Sequence, residues 1–478
     1  MNYKMIRNIL GWLLLFEAGF MLVPLVTGIC YGESETVFFV ITILLCASIG
    51  GLCVWNKPKD SVLYAREGFV IVSLSWIVLS LLGAIPFFIS GVIPSYLDAV
   101  FETVSGFTTT GASILAEVES LPKCMLMWRS FTHWVGGMGV LVFIMAFMPL
   151  SGGQNMHIMK AESPGPSVSK LVPRVKTTAL ILYSIYLVMT LVMFVMLLCG
   201  KMSVFEALTT TFGTAGTGGF GVLNDSMASY SPYIQWVVTA FMLLFSVNFS
   251  CYYLLLIGRV KDAFNAELSR FAAIVGAVML VVTLNVRGLF ATLGEAIRHV
   301  AFTVASLIST TGFATVNFDA WPELSRTLLV LIMFIGACAG STGGGLKVSR
   351  LMILIRGAFN EVSTLIHPRR VKRVMMDGHP VDTEVLHATN IYMMWYVLVF
   401  ALSVILISFD DHDLITNFTA VTATINNIGP GLGLVGPTGN FAIFSSPSKL
   451  VLIFDMLAGR LEIFPILMLF NYKAWKRA

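Results

Sequence analysis

The chain has 478 residues, 57% hydrophobic and only 12% charged, with a formal net charge of +4 and a mean hydropathy of +0.85. A charged share about half that of an ordinary soluble domain excludes water as its main solvent. The seven cysteines lie in apolar segments without a C-x-x-C pair, a pattern that points to neither a disulfide frame nor a zinc site and suggests buried packing residues.

Apolar runs long enough to cross a bilayer, roughly 20 residues each, fall in chain order at 9–30, 36–55, 68–90, 124–149, 177–199, 233–257, 271–289, 325–356, 388–409 and 447–471. The first follows Lys4 and Arg7 as a signal peptide would. Its length, Glu17 and the lack of a small-residue cleavage site before Tyr31 make it a span instead. A short acidic loop (Glu33, Glu35) joins it to the second run, so the two form a hairpin ahead of the other eight. With the N-terminus inside, most Lys and Arg fall in inner segments, from Lys4 and Arg7 through Arg369, Arg370, Lys372 and Arg373 to Lys473, Lys476 and Arg477. This predicts cytoplasmic N- and C-termini. Acids gather outside (Asp98, Glu102, Glu117, Glu119, Glu206, Asp225, Glu295, Asp319, Glu323, Asp410, Asp411, Asp413), either drawing in cations or forming ordinary solvated loops.

Four outer segments resemble one another: YLDAVFETVSGFTTTGAS from Tyr96, MSVFEALTTTFGTAGTGGFG from Met202, EAIRHVAFTVASLISTTGFAT from Glu295 and LITNFTAVTATINNIGPGLG from Leu414. Each predicts a short helix followed by a glycine stretch. Phe101, Phe205, Phe302 and Phe418 precede Gly111, Gly218, Gly312 and Gly429 by 10 to 13 residues, with Gly219 an alternative in the second copy. Pro122, Pro232, Pro322 and Pro447 then head the next span. Span, half-helix, glycine loop and span thus recur four times. The expected fold is an all-α polytopic membrane protein of about ten transmembrane helices, with four tandem repeats around a pseudo-fourfold pore. Its divisions are a hairpin at 1–60 and pore repeats at 61–150, 151–262, 263–365 and 366–478. Non-helical backbone at membrane depth is tolerated where it is buried or lines a cavity, as four converging loops would be.

The loop tripeptides Thr109-Thr110-Gly111, Gly216-Thr217-Gly218, Thr310-Thr311-Gly312 and Asn427-Ile428-Gly429 hold no carboxylate. A monovalent cation can still be held there if main-chain carbonyls replace its hydration oxygens, with the negative ends of the half-helices behind them. The eighth span is interrupted by GACAGSTGGGLK, five glycines in twelve residues from Gly336 to Lys347, and the other second spans show no such break. A loop there is placed to obstruct an ion, with Gly343, Gly344, Gly345 and Lys347 as gate residues; a kink filled by packing is the bland alternative. Arg460 lies inside the last span, on the face away from Asp455 and Glu462. About 10 Å from an ion, at an effective dielectric of ~20, it would repel the ion by roughly 1.7 kcal/mol. A structural tie to another helix is the alternative.

The loops TTTGAS, GTGGFG, STTGFAT and NNIGPGLG resemble the filter segments of the Trk/Ktr/HKT superfamily of potassium transporters over residues 68–472, and the extra hairpin resembles its bacterial TrkH-type branch. The resemblance implies filter glycines at Gly111, Gly218 or Gly219, Gly312 and Gly429, an intramembrane gating loop at 336–347, and an arginine beneath the filter at Arg460. A serine at the first filter position goes with sodium preference in that superfamily, so Gly111 implies potassium. It further implies a homodimer with one pore per chain in the lipid of the cell inner membrane. A cytosolic nucleotide-binding regulatory subunit of TrkA type would dock on basic segments such as 350–373. K+ is then the transported, filter-bound ion. No organic cofactor, enzymatic chemistry or nucleic-acid partner is expected.

Gly431, Gly433 and Gly436 satisfy G-x-G-x-x-G without a βαβ unit, and Leu346 stands where a phosphate loop needs its lysine. The seven histidines show no metal spacing. Two other readings stay open: sodium conduction or proton-coupled symport through Glu17, Asp455 or Glu462, and a membrane scaffold or sensor that transports nothing.

Overall fold

Long apolar runs become helices because, in lipid, a helix satisfies every backbone polar group internally. The computed structural model describes residues 1–56, 64–139, 175–367 and 373–475. Six continuous helical stretches are long and apolar enough to cross a membrane: Tyr3–Tyr31, Thr36–Trp55, Arg66–Ile89, Thr177–Cys199, Ala266–Leu289 and Thr383–Asp410. These are the expected hairpin and the first span of each repeat. In the hairpin, a methyl group on Gly50 would fall 2.8 Å from the Gly11 carbonyl oxygen, so small residues let the two backbones touch.

The second spans differ from expectation. Each starts within one residue of its proline as a helix of 13 to 15 residues: Lys123–Gly137, Pro232–Phe245, Glu323–Ile335 and Ser446–Arg460. Each helix then ends. In the second quarter the chain bends by 90° before Phe249–Leu256. In the third the glycine loop runs from Gly336 to the helix Val348–Ile366, and in the fourth Glu462 and Ile463 take positive φ before Phe464–Phe470. In the first, Gly139 takes φ +84°, and the rest of the expected 124–149 span lies outside the described residues. The break expected once therefore has counterparts in the second and fourth quarters, which turn on two or three residues without a glycine run, and in the first quarter the helix ends at Gly137.

Between the spans lie four half-helices, Tyr96–Phe107, Val204–Ala215, Leu293–Ile308 and Leu414–Ile425. Their starts share one chemistry. Ser95, Ser203, Thr292 and Asp413 accept a hydrogen bond from the backbone N–H three residues on, and Asp98, Glu206 and Glu295 occupy the first turns of the first three. Several of the outer acids are thus helix starts, and Asp410 accepts from Ser445. The first half-helix is wedged by Trp128, whose Nε1 donates to Gly83 O at 2.9 Å while its ring meets Phe107 and Phe39 edge-on. Among the described residues the sheet content is one two-residue ladder, Met375–Met376 with His379–Pro380. Cys46, Cys124, Cys251 and Cys338 are buried as expected, but Cys30 and Cys199 are exposed.

Candidate functional site

Four residues beyond the end of each half-helix stands a glycine in the left-handed region: Gly111 (φ +77°), Gly219 (+79°), Gly312 (+87°) and Gly429 (+98°). Two residues before each glycine the backbone is left-handed again, at Thr109, Thr217, Thr310 and Asn427. Asparagine tolerates that conformation, but for three β-branched threonines it is strained, and strain of this kind persists where the surroundings impose it. The loops therefore share one backbone course, and its register corrects the second copy. The equivalent tripeptide is Thr217-Gly218-Gly219. Gly216 is the helical C-cap of its half-helix (φ −73°), and Gly218 occupies the middle position held elsewhere by Thr110, Thr311 and Ile428. The constant spacing runs from the half-helix C-terminus, not from the aromatic residues used to align the sequence.

The loops close on one another in chain order. A methyl group on Gly111 would lie 1.9 Å from Gly218 O, one on Gly219 2.0 Å from Thr311 O, and one on Gly312 2.1 Å from Ile428 O. One on Gly429 would lie 2.9 Å from Thr110 O, which completes the circuit. Each glycine thus faces the main-chain oxygen of the middle residue in the next quarter, an approach a side chain would block. Polar ties run between neighbouring quarters around this ring: Asn427 Nδ2 donates to Thr110 Oγ1 at 2.9 Å, Val118 N to Asn224 Oδ1 at 2.9 Å, Met227 N to Ala314 O at 2.9 Å and Phe441 N to Ser113 O at 2.8 Å. Lys449 pairs with Asp98 at 2.7 Å, joining the last quarter to the first half-helix. Above the ring glycines opens a cavity of about 160 Å³.

Beneath the ring, the Gly336–Lys347 loop is pressed against the half-helix ends. Gly344 N donates to Thr310 Oγ1 at 2.6 Å, and a methyl group on Gly344 would fall 2.3 Å from Asn426 O. A methyl group on Gly343 would fall 2.8 Å from Ser309 O, Gly345 takes φ +78° against Gly336, and the buried Lys347 turns its ammonium back onto Gly343 O. The loop also rests on the break of the second quarter, with Cys338 N donating to Ser246 O at 3.1 Å and Phe249 N to Gly340 O at 3.0 Å. Arg460 joins this assembly to two further quarters. Its guanidinium donates to Thr342 O at 2.9 Å, Gly136 O at 2.5 Å and Gly137 O at 2.8 Å. The helix end of the first quarter and the breaks of the other three meet there.

The neighbouring charges behave otherwise. Asp455 accepts from Ser403 at 2.7 Å, and Glu462 forms an ion pair with Arg350, whose guanidinium also lies 4.1 Å from the Tyr392 ring centroid. Arg350, expected on a docking surface, is buried inside; residues 368–372 of that expected surface lie outside the described residues. Both Glu17 oxygens are buried without a hydrogen-bond partner among the described residues, beside Gly83.

Three groups escaped the sequence reading. Glu267 Oε1 accepts from Ala339 N at 2.8 Å and Ser349 N at 3.1 Å, gripping both ends of the loop region. Glu102 and Arg129 form a buried pair at 2.8 Å behind the ring, where the outer-loop assignment of Glu102 fails. His133 stands beside them. For Arg129 and His133 the available signal was a charged or imidazole group inside the apolar run 124–149, which is costly in a bilayer and marks an interior site; Glu102 and Glu267 lie outside the apolar runs and carried no such signal.

Residues 35–476 match the TrkH family, described as cation transport proteins. The whole chain is 34% identical, over 484 residues covering all of both proteins, to the Trk system potassium uptake protein TrkH of Escherichia coli K12. It is 29% identical to TrkI of Halomonas elongata, over 99% of this chain and 97% of that protein. The crystal structure of the potassium transporter TrkH from Vibrio parahaemolyticus superposes with a TM-score of 0.90 at 33% identity, over the full length of both chains. With the closed ring, the broken second spans and this agreement over its whole length, the chain belongs to the TrkH family of cation transport proteins.

Proposed function

We propose that this chain takes up potassium ions across the cytoplasmic membrane, as the names of its relatives say of them. The observation that carries the reading is the ring: four loops whose main-chain oxygens each face a glycine of the neighbouring quarter, with no carboxylate among them. Oxygens of Thr109–Gly111, Thr217–Gly219, Thr310–Gly312 and Asn427–Gly429 take over from water around a bare monovalent ion, and the C-terminal ends of the half-helices add partial negative charge. The loop with Gly343, Gly344, Gly345 and Lys347, tied by Arg460, is the gate beneath. Its tight seat under the half-helix ends supports that role, because an ion leaving the ring meets it first.

The proposal extends to a homodimer in the cell inner membrane, with both termini cytoplasmic and a TrkA-type nucleotide-binding subunit on the inner face. The repeat boundaries at 60, 150, 262 and 365 belong to the same reading. The test is rubidium, potassium and sodium flux into liposomes containing the purified chain, with and without such a partner. Potassium-selective flux is expected, and vesicles that pass neither rubidium nor potassium in either condition would favour a non-transporting scaffold.

A further inference from the structure

Behind the ring, three of the four middle residues carry a fully buried side chain: Thr110, Thr311 and Ile428. Thr110 Oγ1 hydrogen-bonds Thr108 Oγ1 at 2.8 Å, and Thr311 Oγ1 hydrogen-bonds Ser309 Oγ at 2.6 Å, so these side chains fasten their strands to the half-helix ends. The second loop has Gly218 instead and can make no such attachment. Glycine also leaves that peptide the freest to rotate of the four.

The space is nevertheless filled from another quarter. A methyl group on Gly218 would fall 2.2 Å from Cγ and Nδ1 of His133, which projects from the Lys123–Gly137 helix of the first quarter. Both imidazole nitrogens are engaged. Nδ1 lies 2.8 Å from Gly106 O, and since a carbonyl can only accept, Nδ1 carries the hydrogen. Nε2 then accepts from Phe220 N–H at 3.3 Å, one residue beyond the ring glycine Gly219. The His133 and Phe220 ring centroids are 4.3 Å apart. Arg129, one turn earlier on the same helix face, places its guanidinium 4.1 Å from the Phe220 ring centroid and donates to Gly221 O at 3.3 Å.

We propose that His133 is a positioning residue for ion selection, standing in for the side chain that the second filter strand lacks and holding the Gly218 carbonyl in the ring. The proposal rests on the filter reading above. Packing behind Gly218 and capture of the Phe220 N–H together remove the rotation that glycine would otherwise allow. Gly218 itself is outside the left-handed region, so its backbone admits a side chain once the imidazole is gone.

The test is the potassium-to-sodium flux ratio of full-length variants in liposomes, normalised to incorporated protein. His133→Ala is expected to lower the ratio by at least about tenfold, equivalent to about 1.4 kcal/mol. Glutamine offers an amide donor to Gly106 O and an acceptor to Phe220 N–H, so His133→Gln is expected to keep the native ratio. The double variant His133→Ala with Gly218→Thr, which returns a side chain to the strand, is expected to regain most of what His133→Ala loses. Should the alanine variant fail to reach the membrane, His133→Met supplies volume without either hydrogen bond and is expected to lose selectivity where glutamine keeps it. A native ratio in His133→Ala or His133→Met overturns the proposal. A wild-type chain without potassium-selective flux overturns the filter reading instead, so the two failures are distinct.

Discussion

Gly111→Ser tests the ring most directly. The residue sits at φ +77°, where an L side chain costs about 1–2 kcal/mol. Its Cβ would also lie 1.9 Å from Gly218 O. Real Cβ contacts do not fall below 3.0 Å, so the oxygen must retreat by about 1.1 Å, and overpacking of that kind costs about 1–3 kcal/mol. The combined ~2–5 kcal/mol is relieved by moving the first and second strands apart, which pulls one main-chain oxygen out of the ring. If only about 1.4 kcal/mol of it falls on the bound potassium ion and not on sodium, the selectivity ratio drops tenfold. The assay is competitive rubidium and sodium uptake into liposomes from a matched lipid batch. A serine variant with native selectivity and native flux would show that Gly111 and Gly218 do not share an ion site.

Arg460→Ala removes the donors to Thr342, Gly136 and Gly137, so the loop loses its tether and basal potassium flux without a regulatory partner is expected to rise several-fold; an unchanged basal flux removes Arg460 from the gate. Gly344→Ala sets a methyl group 2.3 Å from Asn426 O and is expected to raise basal flux likewise, measured in the same vesicles. Glu102→Gln strands the Arg129 charge behind the ring and is expected to cost about 3–5 kcal/mol, while Glu102→Gln with Arg129→Met costs less than the single change, read by thermal unfolding in detergent. Asp413 caps the fourth half-helix, and hydrogen bonds from Thr416 hold its carboxyl below the usual aspartate range. A lowered native pKa means the cap's contribution is complete above the ordinary aspartate value and is lost as pH falls through the native one. Asp413→Asn is therefore expected to flatten stability against pH in the acid range, and Asp413→Ala to cost about 0.5–2 kcal/mol at neutral pH.

The half-helices and glycine loops were legible because their cost is local. A left-handed backbone at membrane depth demands glycine, and a half-helix start demands a short polar cap, so both leave marks at fixed places along the chain. The glycine-rich loop at 336–347 was visible for the same reason. The breaks in the other second spans were not, since two or three ordinary residues suffice when neighbouring quarters supply the missing hydrogen-bond partners. Aromatic anchors misled the alignment of the second copy, because Phe205 packs near the outer end of its half-helix, whereas the register is set at the other end, where the loops touch.

Residue order alone was enough for the membrane habitat, the fourfold repetition and the four glycine loops, since these depend on hydropathy and on what one residue's backbone can do. The exchange of contacts around the ring, with Gly219 in place of Gly218, required folded coordinates. So did the meeting of Arg460 with two other segments, the burial of Glu102 with Arg129, and the lodging of His133 behind a strand 85 residues away. Such features depend on distances between quarters of the chain, and spacing along the sequence does not encode which side chain of one quarter fills a space left by another.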